Sequence, residues 1–585
     1  MSKREPWSAR RTRLMNRWHA RRAARARPAT AFVSQPEPRT IGSFAKGKQL
    51  VAGNLLFAGH LVEAKDGSIW QIDPPDPAFS EALHSFAWLD DLAALGDAAA
   101  RDKAQTWTFE WIETYGRGHG PGWTPDLTGR RLIRWINHAL FLLQGQEPDA
   151  SHAFYRSLGQ QTLFLAKRWP VASPGLPRFG ALTGLIYAGL ALEGMEGHVE
   201  AASKGLAREC TAQVDAEGGI PTRNPEELLE VFTLLNWAAL ALAETGRLAR
   251  PEHIDAIERI APTLRALRHA DGGLARFHGG GRGAEGRLDQ ALATSGVRAS
   301  TNAGLAMGYA RLHGGRTTLI MDAAAPPQGS ASARGHASTL AIEITSGRRP
   351  VVVNCGSGAD FGESWKKAGR ATPSHSVLGI EGMSSSRLGP LQRTAEGERA
   401  LLVRTPEDVH AQELESDGGS GIVAGHDGYI PTHGLGYVRR VEMTVDGRTI
   451  YGEETLGAVS DAERETFRAA LDETGLSGIR FALRFHLHPD VDAAIDLGGT
   501  AVSMALRSGE IWVLRYEGAA TLSLDPSVYL ENGRLKPRAA KQVVLSGVAL
   551  DYSTRIRWSL AKAQDTPVGV RDLVRDDPSG LPEDT

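Results

Sequence analysis

The sequence predicts an α+β protein with a helical N-terminal domain of layered or toroidal type and a C-terminal antiparallel β-sandwich. Its 585 residues are too many for one hydrophobic core, which indicates two large domains. Apolar residues recur at helical spacing from about residue 78 to 315, and after about residue 325 their period becomes two. Successive helices that are apolar on more than one side favour a layered or toroidal domain over a four-helix bundle.

Residues 1–40 form a basic segment ahead of the helices. Ten lysines and arginines stand against the single acid Glu5 within residues 1–28. This composition favours a disordered, solvated arm, and the alternative is an arm in peripheral contact with an anionic membrane or polymer. Because no apolar segment resembles a secretory signal or a transmembrane helix, we expect a cytoplasmic protein, with a periplasmic or membrane-peripheral location left open.

The helical domain is predicted over residues 41–325, with short Gly- or Pro-containing connectors between its helices. Its apolar stripes include Leu83, Phe86, Leu89 and Leu92, then Leu132, Ile136, Leu140 and Leu143, and then Leu228, Phe232, Leu235 and Leu240.

The β-sandwich is predicted over residues 326–562, and a polar tail over 563–585. Leu340, Ile342 and Ile344 alternate with polar or small residues, as on a half-buried strand. Asp-Gly at 446–447 and Ser-Gly at 508–509 follow such alternating runs and predict hairpins.

Composition narrows the classes of ligand. A formal net charge of −2 gives no general attraction to nucleic acid. The two cysteines, Cys210 and Cys355, are too few for a disulfide framework or a cysteine-based metal knuckle. The glycine-rich runs at 271–273 and 278–281 lack the lysine and hydroxyl residues of a phosphate loop, so no organic cofactor is expected.

The segment from His336 to His375 carries the densest set of polar motifs. It brings two histidines and the amide of Asn354 onto adjoining strands of the predicted sheet. Isolated histidines are usually structural, but polar residues that repeatedly end on one side of a sheet are typical of a site.

Together with two further motifs, this segment resembles the bacterial heparinase II/III-like polysaccharide lyases, from about residue 80 to 560. The resemblance implies an (α/α) toroid packed on a β-sandwich, an acidic polysaccharide or oligosaccharide in the cleft between them, and its cleavage by β-elimination. The motifs are His-Ala-x-x-Leu-x-x-Glu from His336, Val-Asn-Cys-Gly at 353–356, Arg-x-Thr-x-x-His-Ser at 370–376, His-Asp-Gly-Tyr at 426–429 and Arg-Phe-His-Leu-His-Pro at 484–489.

The resemblance also implies a zinc site made by His336, Asn354 and His375. The family usually has an aspartate where this chain has Asn354, so an anionic ligand is replaced by a neutral amide. Zinc prefers thiolate, imidazole or carboxylate ligands. The alternative is a polar network in which the two histidines and Asn354 are joined by hydrogen bonds.

The catalytic positions depart further from the family. β-Elimination next to a uronate needs a group that neutralises the carboxylate, a base near C5 and an acid for the leaving oxygen. Arg178 replaces the family's Asn-His, Glu227 its tyrosine and Arg334 a histidine. Glu227 also fits a capping box, and Tyr429 is the best replacement acid/base, with core packing as its alternative. His336 is carried over as a catalytic candidate as well as a metal ligand.

Four residues are predicted to bind the substrate. Trp123 lies in a predicted loop where a sugar ring could stack, and Arg130 follows at a helix start. Arg370 suits a carboxylate or sulfate, and His426 stands in the His-Asp-Gly-Tyr motif. The sequence therefore predicts a lyase for a uronate-containing glycan. The alternatives are a catalytically silent glycan-binding protein of exopolysaccharide or envelope metabolism, and a glycoside hydrolase on the same toroid.

Overall fold

The computed structural model describes residues 6–26, 31–34, 37–64, 67–298, 304–394, 397–416 and 418–563, together with Asp572. It confirms an N-terminal (α/α) toroid followed by a C-terminal antiparallel β-sandwich. Across these residues, every helix is too short or too polar to cross a membrane.

The basic N-terminal segment is helical where it is described. Helix α1 (Trp7–Ala23) packs on helix α8 (Pro148–Arg168) of the toroid, with Ala9, Asn16 and Ala20 on its buried side. The prediction of a disordered arm is therefore wrong for α1. Local charge alone suggested a solvated segment, whereas the small residues spaced along one side of the helix allow close packing.

The toroid is built from helices α1 to α13 with one small hairpin. α6 and α9 pack most closely, because Gly129 and Gly184 let the two backbones touch: a Cβ on Gly184 would lie 2.5 Å from the Cα of Gly129. The elements after α1 are α2 (Phe44–Val51), β1 (Asn54–Phe57), β2 (His60–Glu63), α3 (Pro77–Ser85), α4 (Ala87–Leu95), α5 (Ala98–Tyr115), α6 (Pro125–Asn137), α7 (Ala139–Leu143), α8 (Pro148–Arg168), α9 (Leu176–Ala191), α10 (Val199–Gln213), α11 (Pro225–Glu244), α12 (Pro251–Ala266) and α13 (Arg287–Ser295).

The sandwich consists of two large antiparallel sheets and three short helices. Its elements are β3 (Tyr309–Gly314), β4 (Thr317–Asp322), β5 (Ile342–Ser346), β6 (Arg349–Val353), α14 (Glu363–Gly369), β7 (Leu378–Ile380), β8 (Arg387–Leu388), β9 (Gln392–Thr394), β10 (Gly397–Arg399), β11 (Leu402–Arg404), β12 (Val409–Ser416), β13 (Gly419–Tyr429), α15 (Ile430–His433), β14 (Leu435–Thr444), β15 (Thr449–Gly457), α16 (Asp461–Glu473), β16 (Ile479–Leu487), β17 (Asp492–Asp496), β18 (Ala501–Ala505), β19 (Ile511–Glu517), β20 (Ala520–Tyr529), β21 (Arg538–Ala549) and β22 (Ser553–Lys562).

One sheet has the strand order β12-β13-β14-β15-β22-β19-β18-β17, and the other has the order β20-β21-β16-β6-β5-β4-β3, with β7 also paired to β16. The inner faces meet in a core where the rings of Phe485 and Trp558 are 4.9 Å apart between centroids. The predicted hairpins are confirmed: β14 pairs with β15 and β18 with β19, and Gly447 and Gly509 have positive φ in the connections.

The sandwich begins earlier than the sequence predicted. β3 and β4 belong to its second sheet and precede residue 326, so the boundary at 325/326 is wrong. The helical spacing that continued to about residue 315 concealed two short strands whose residues are nearly all buried. Most of the predicted polar tail lies outside the described residues. Beyond residue 563 the structure describes Asp572, whose carboxylate accepts two hydrogen bonds from Arg349.

A buried ion pair joins the two domains. Arg223, just before α11, donates to the Oδ1 atom of Asp322 at the end of β4 over 2.6 Å. The Arg223 guanidinium also donates to main-chain carbonyls at the start of the sandwich, those of Met307, Gly308, Ala324 and Ala325. This contact fixes the start of α11 against the sandwich.

Candidate functional site

The candidate site lies where the toroid meets the sandwich, around the exposed side chain of Arg334. Arg334 ends a short 3-10 helix between β4 and β5, and its charge acts on Glu81 of α3 and on Glu226 and Glu227 of α11. Arg130 of α6 acts on Glu81 and Glu227 as well. Two guanidinium groups and three carboxyl groups therefore converge from both domains.

The start of α11 positions Glu227. The side chain of Asn224 caps the helix, its Oδ1 atom accepting from the main-chain N–H of Glu227 over 3.1 Å, and Pro225 occupies the first turn. Asn224 is thus the N-cap of α11, which supplies the first of the two hydrogen bonds of the predicted capping box. The Glu227 carboxyl lies within electrostatic reach of Arg334 and Arg130, while that of its neighbour Glu226 accepts from Gly281 N over 2.7 Å.

The carboxyl groups of Glu227 and Glu81, on which both guanidinium groups act, differ in their surroundings. Loss of hydration raises the pKa of Glu227, and the charged neighbours Arg334 and Arg130 offset part of that rise. Loss of hydration also raises the pKa of Glu81, and there the nearby Asp126 adds to the rise. Both pKa values are therefore raised overall and both carboxyl groups feel the two arginines, but a neighbouring carboxylate adds to the rise only at Glu81.

Arg178 is already engaged by the protein. Its Nη1 atom donates to Glu209 Oε2 over 3.0 Å, and its Nη2 atom donates to the carbonyl of Ala172 over 2.7 Å. The other oxygen of Glu209 accepts from Gly175 N, so the arrangement braces the turn before α9. This position gives Arg178 a structural role, in contrast to the carboxylate-neutralising role expected from the sequence.

Tyr429 and His426 lie inside the sandwich. Tyr429 is 0% exposed, and its hydroxyl donates to the carbonyl of Leu378 over 3.3 Å. Burial raises the pKa of Tyr429. The ring of buried His426 packs between Tyr429 and Tyr437. The expected acid/base role of Tyr429 and substrate contact of His426 do not fit these positions, and the core-packing alternative for Tyr429 does.

Trp123 and Arg370 are buried as well. Trp123 donates from its indole N–H to the carbonyl of Tyr115 and packs against Trp111 and Phe164. The Arg370 guanidinium donates hydrogen bonds to the carbonyls of Gly335, Ala400 and Ser332. Neither residue has a surface for a sugar, so both substrate-binding predictions require correction, and of the four residues Arg130 alone lies in the described site.

The residues predicted to bind zinc come from loops at the ends of strands. The rings of His336 and His375 are 5.2 Å apart between centroids. Asn354 uses both ends of its amide: Nδ2 donates to Glu343 Oε1 over 3.2 Å, and Oδ1 accepts from Ser376 N over 3.0 Å. The amide therefore links strand β5 to the loop that contains Ser376.

These residues do not fit a zinc ion. Among the described residues, no group of three or more His, Cys, Asp or Glu side chains is arranged to hold a metal. Burial lowers the pKa of His375 to about 3 and that of His336 far below its usual range. A neutral imidazole is the form that binds a metal, so the poor fit comes from the set of ligands and not from the protonation of the histidines. His336 is 3% exposed and, like His375, lies beneath the surface of the site.

Three residues near the site escaped the sequence analysis. Glu81 lies in the middle of α3 and Glu226 in the first turn of α11, and neither carries a spacing signal. His278 accepts from the main-chain N–H of His336 over 3.1 Å, and its Nε2 atom lies 3.4 Å from Asp322 Oδ2. Its position before three glycines was the available clue, because a glycine run permits close approach of the chain to other groups.

Two comparisons of the sequence found similar proteins, one over the C-terminal half of the chain and one over almost its whole length. A family model described as "Heparinase II/III-like, C-terminal" matches residues 297–559. FtsZ-localized protein C of Caulobacter vibrioides is 31% identical over 558 residues, covering 93% of this chain and 92% of that protein.

Solved structures share the architecture. The crystal structure of heparinase III aligns with a TM-score of 0.68 at 14% identity, over 95% of this chain and 90% of that chain. Heparan sulfate lyase HepC from Pedobacter heparinus aligns with a TM-score of 0.53 at 13% identity, over 96% of this chain and 89% of that chain. At such identities the structural likeness shows the fold alone.

Proposed function

Because this chain belongs to the heparinase II/III-like family, we propose that it binds a uronate-containing glycan between toroid and sandwich and cleaves it by β-elimination. The observation that carries the proposal is the convergence of Arg334 and Arg130 on Glu227 and Glu81. These groups supply the three chemical tasks of the reaction, although they differ from the residues that serve them elsewhere in the family.

The two arginines would neutralise the uronate carboxylate. A guanidinium is permanently charged and matches the planar geometry of a carboxylate. Neutralisation acidifies the proton on C5, since the negative charge that develops during its removal spreads onto the carboxylate. Arg334 is exposed and Arg130 is half-buried, so both are available to a ligand.

Glu227 would act as the base and Glu81 as the acid. Glu227 accepts the C5 proton, the C–H electrons form the C4–C5 double bond, and the O4 oxygen leaves with a proton from Glu81. The assignment rests on the one difference between their neighbours: Arg334 and Arg130 favour the ionised form of both carboxyl groups, and Asp126 opposes ionisation at Glu81 alone. The products are a reducing end and an unsaturated uronyl sugar.

A second candidate function is glycan binding without cleavage. It is favoured by the burial of Tyr429 and His336 and by the engagement of Arg178 with Glu209.

The relative's name supports a proposal about location. FtsZ-localized protein C matches almost the whole chain, so we propose that this protein also localises with FtsZ. Simultaneous imaging of fluorescent fusions of both proteins tests this, and a distribution independent of FtsZ would contradict it.

The catalytic proposal is tested by incubating the full chain with a panel of uronate polymers. Ultraviolet absorbance of the unsaturated product and the appearance of reducing ends are followed together. We expect both signals from the native chain and neither from Glu227→Gln, which keeps the shape of the side chain and removes its basicity. Glu252→Gln is the matched control, because Glu252 is an exposed glutamate in the first turn of α12.

The outcomes separate the candidates. Reducing ends without the ultraviolet signal would indicate hydrolysis and overturn the elimination mechanism. Binding without either signal, weakened by Arg334→Ala, would support the silent binding protein. Full turnover by Glu227→Gln would remove Glu227 from the role of base.

A further inference from the structure

One large sheet of the sandwich has an outer face that carries exposed side chains. On its neighbouring strands β14, β15, β22 and β19, every second side chain points into the core and those between them point outward. The outward ring of Tyr451 is 54% exposed. The outward side chains of these four strands border a groove of about 410 Å³.

The strand register aligns these outward side chains in two rows, which cross the strands in the order β14, β15, β22 and β19. We call them the charge row and the tyrosine row. The charge row consists of Arg440, Glu453, Arg557 and Glu517, and the tyrosine row consists of Glu442, Tyr451, Ser559 and Arg515. Neighbours within a row lie on strands that are roughly 4.8 Å apart.

Each row turns into its own complement when the order of the strands is reversed. The charge row alternates in sign from Arg440 to Glu517, so it has the opposite signs when it is followed from the other end. The tyrosine row begins with Glu442 and ends with Arg515. In both rows the centre of this relation lies between β15 and β22, so the two rows share one potential symmetry axis, parallel to the strands.

A two-fold axis at this position would place a second copy of the chain face to face with the first. An isologous interface needs a surface that is complementary to itself, and the two rows meet this condition. The facing pairs are Arg440 with the partner's Glu517, Glu453 with the partner's Arg557, and Glu442 with the partner's Arg515. Stacked sheets lie roughly 10 Å apart, a gap that an arginine and a glutamate extended towards each other can span.

Shape is complementary about the same axis. The protruding ring of Tyr451 would face the partner's Ser559, a small residue that lines the groove. The ring of each copy can therefore enter the groove of the other. Aromatic side chains that fill a pocket of the partner often contribute most of the binding energy of an interface.

Ion pairs within the sheet account for only part of this pattern. Glu453 accepts from Arg557 Nε over 2.8 Å, and Arg440 forms an ion pair with Glu442. At the β19 end of the rows, Arg515 and Glu517 form no ion pair within 4.0 Å with any described residue. Both are exposed and available to a partner.

The balance of charge favours a second copy over other partners. Three arginines and three glutamates occur in the two rows, so the face has no net attraction for a polyanion. An apolar partner would leave all six charges without counter-charges. A second copy supplies an opposite charge to each of them.

The face is also large enough for a specific contact. The six neighbouring strands from β13 to β18 would span roughly 29 Å, and seven residues along them roughly 24 Å. The resulting area of about 700 Å² is close to the roughly 800 Å² that each partner contributes to a standard interface.

We propose that two copies of this chain form a symmetric dimer through this sheet face, with the two-fold axis between β15 and β22. The inference is independent of the chemistry proposed for the site between toroid and sandwich, because no residue of the two rows belongs to that site.

Sedimentation equilibrium of the full chain at micromolar concentration tests the proposal. We expect a dimer at low salt whose dissociation constant rises with salt, because the contacts are largely ionic. Arg515→Glu and Glu442→Arg should each raise the dissociation constant at least about tenfold, since each places like charges opposite one another at two positions. Tyr451→Ala should also weaken the dimer, because it removes the ring that enters the groove.

An exchange of charges distinguishes contacts between copies from contacts within one chain. Glu442 and Arg515 lie three strands apart, roughly 14 Å, which is too far for a direct ion pair in the same chain. The double variant Glu442→Arg/Arg515→Glu should therefore recover the dimer, because opposite charges again face each other. An equal mixture of the two single variants should form a heterodimer, while each variant alone stays monomeric.

A matched control comes from the other large sheet. Arg480→Glu reverses an exposed charge on β16 and should leave the dimer unchanged. Circular dichroism verifies that each variant is folded.

Three results would overturn the proposal: a native chain that is monomeric at low salt, unchanged association of both single variants, or no recovery in the double variant and in the mixture. An unchanged mass of Tyr451→Ala together with weaker binding of a uronate polymer would assign the face to a glycan and would also overturn it.

Discussion

The amide of Asn354 shows how one residue changes the chemistry of a site. It donates to Glu343 and accepts from Ser376 N, so both ends of the side chain are satisfied in a fully buried position. Burial opposes ionisation of Glu343, yet the hydrogen bond from His269 and the charge of Arg276 lower its pKa overall. An amide beside this carboxylate is favourable, whereas a second carboxylate would repel it.

We expect Asn354→Asp to lower the free energy of unfolding by about 1–3 kcal/mol in the presence of EDTA, because it removes the donor to Glu343 and adds a like charge. Zinc should recover part of this loss, since the new carboxylate supplies an anionic ligand beside His336 and His375. Thermal unfolding with EDTA or zinc measures both effects.

The native chain and Asn354→Asp/His336→Ala are the controls, and neither should respond to zinc. Equal stabilisation of the native chain by zinc would contradict this interpretation of Asn354.

At the scale of one element, the start of α11 links folding to the site. Asn224 caps the helix, and its Nδ2 atom donates to the carbonyl of buried His278. Glu226 and Glu227 follow in the first turn, where carboxylates also interact favourably with the helix dipole. The cap therefore holds the residue proposed as the base.

Asn224→Ala is expected to cost about 1–2 kcal/mol of unfolding free energy and to reduce turnover, because it removes a cap and frees the first turn. Asp97→Ala is the control, since Asp97 caps α5 by accepting from Ala100 N over 2.8 Å. The control should lose similar stability and keep its activity. Urea unfolding and the uronyl assay measure the two properties, and full activity of Asn224→Ala would show that the cap does not position Glu227.

At the scale of the whole molecule, Arg223 and Asp322 fasten the toroid to the sandwich. Asp322 is 0% exposed and also accepts from the Ser338 hydroxyl over 2.7 Å. Burial alone would raise its pKa, but Arg223 and His278 lower it to about 2. Because this folded-state pKa lies below the ordinary value of 3.8, the stabilisation is complete above that value and is lost as the pH falls towards 2.

Arg223→Ala should lower the free energy of unfolding by about 3–5 kcal/mol at neutral pH, because it leaves a buried carboxylate without its cation. The difference from the native chain should shrink between pH 4 and pH 2, as Asp322 becomes protonated in both proteins. Urea unfolding at several pH values tests this. Arg223→Lys is the matched variant and should lie between the two, and a pH-independent difference would argue against the ion pair.

The sequence by itself determined the class of the two domains, the family and the motifs that frame the site. The periodicity of apolar residues indicates which face of each element is buried, and it can be found in one sequence alone. An example is the alternation in β14 and β15, which pair around their Asp-Gly turn. It also offered Arg130, Glu227 and Arg334 as candidates: Glu227 and Arg334 by their positions in the family pattern, and Arg130 as a cation at a predicted helix start.

Only the tertiary structure decided which polar residues face the site. Four residues have the types and motif positions expected of binding residues, yet they are buried by strands and helices distant in sequence. They are Tyr429, His426, Trp123 and Arg370. The basic segment likewise became a helix with a covered and an uncovered side through its contact with α8. The burial of these side chains depends on long-range packing, which a local sequence pattern does not encode. In this protein, burial distinguishes the residues that are available to a ligand from those that stabilise the fold.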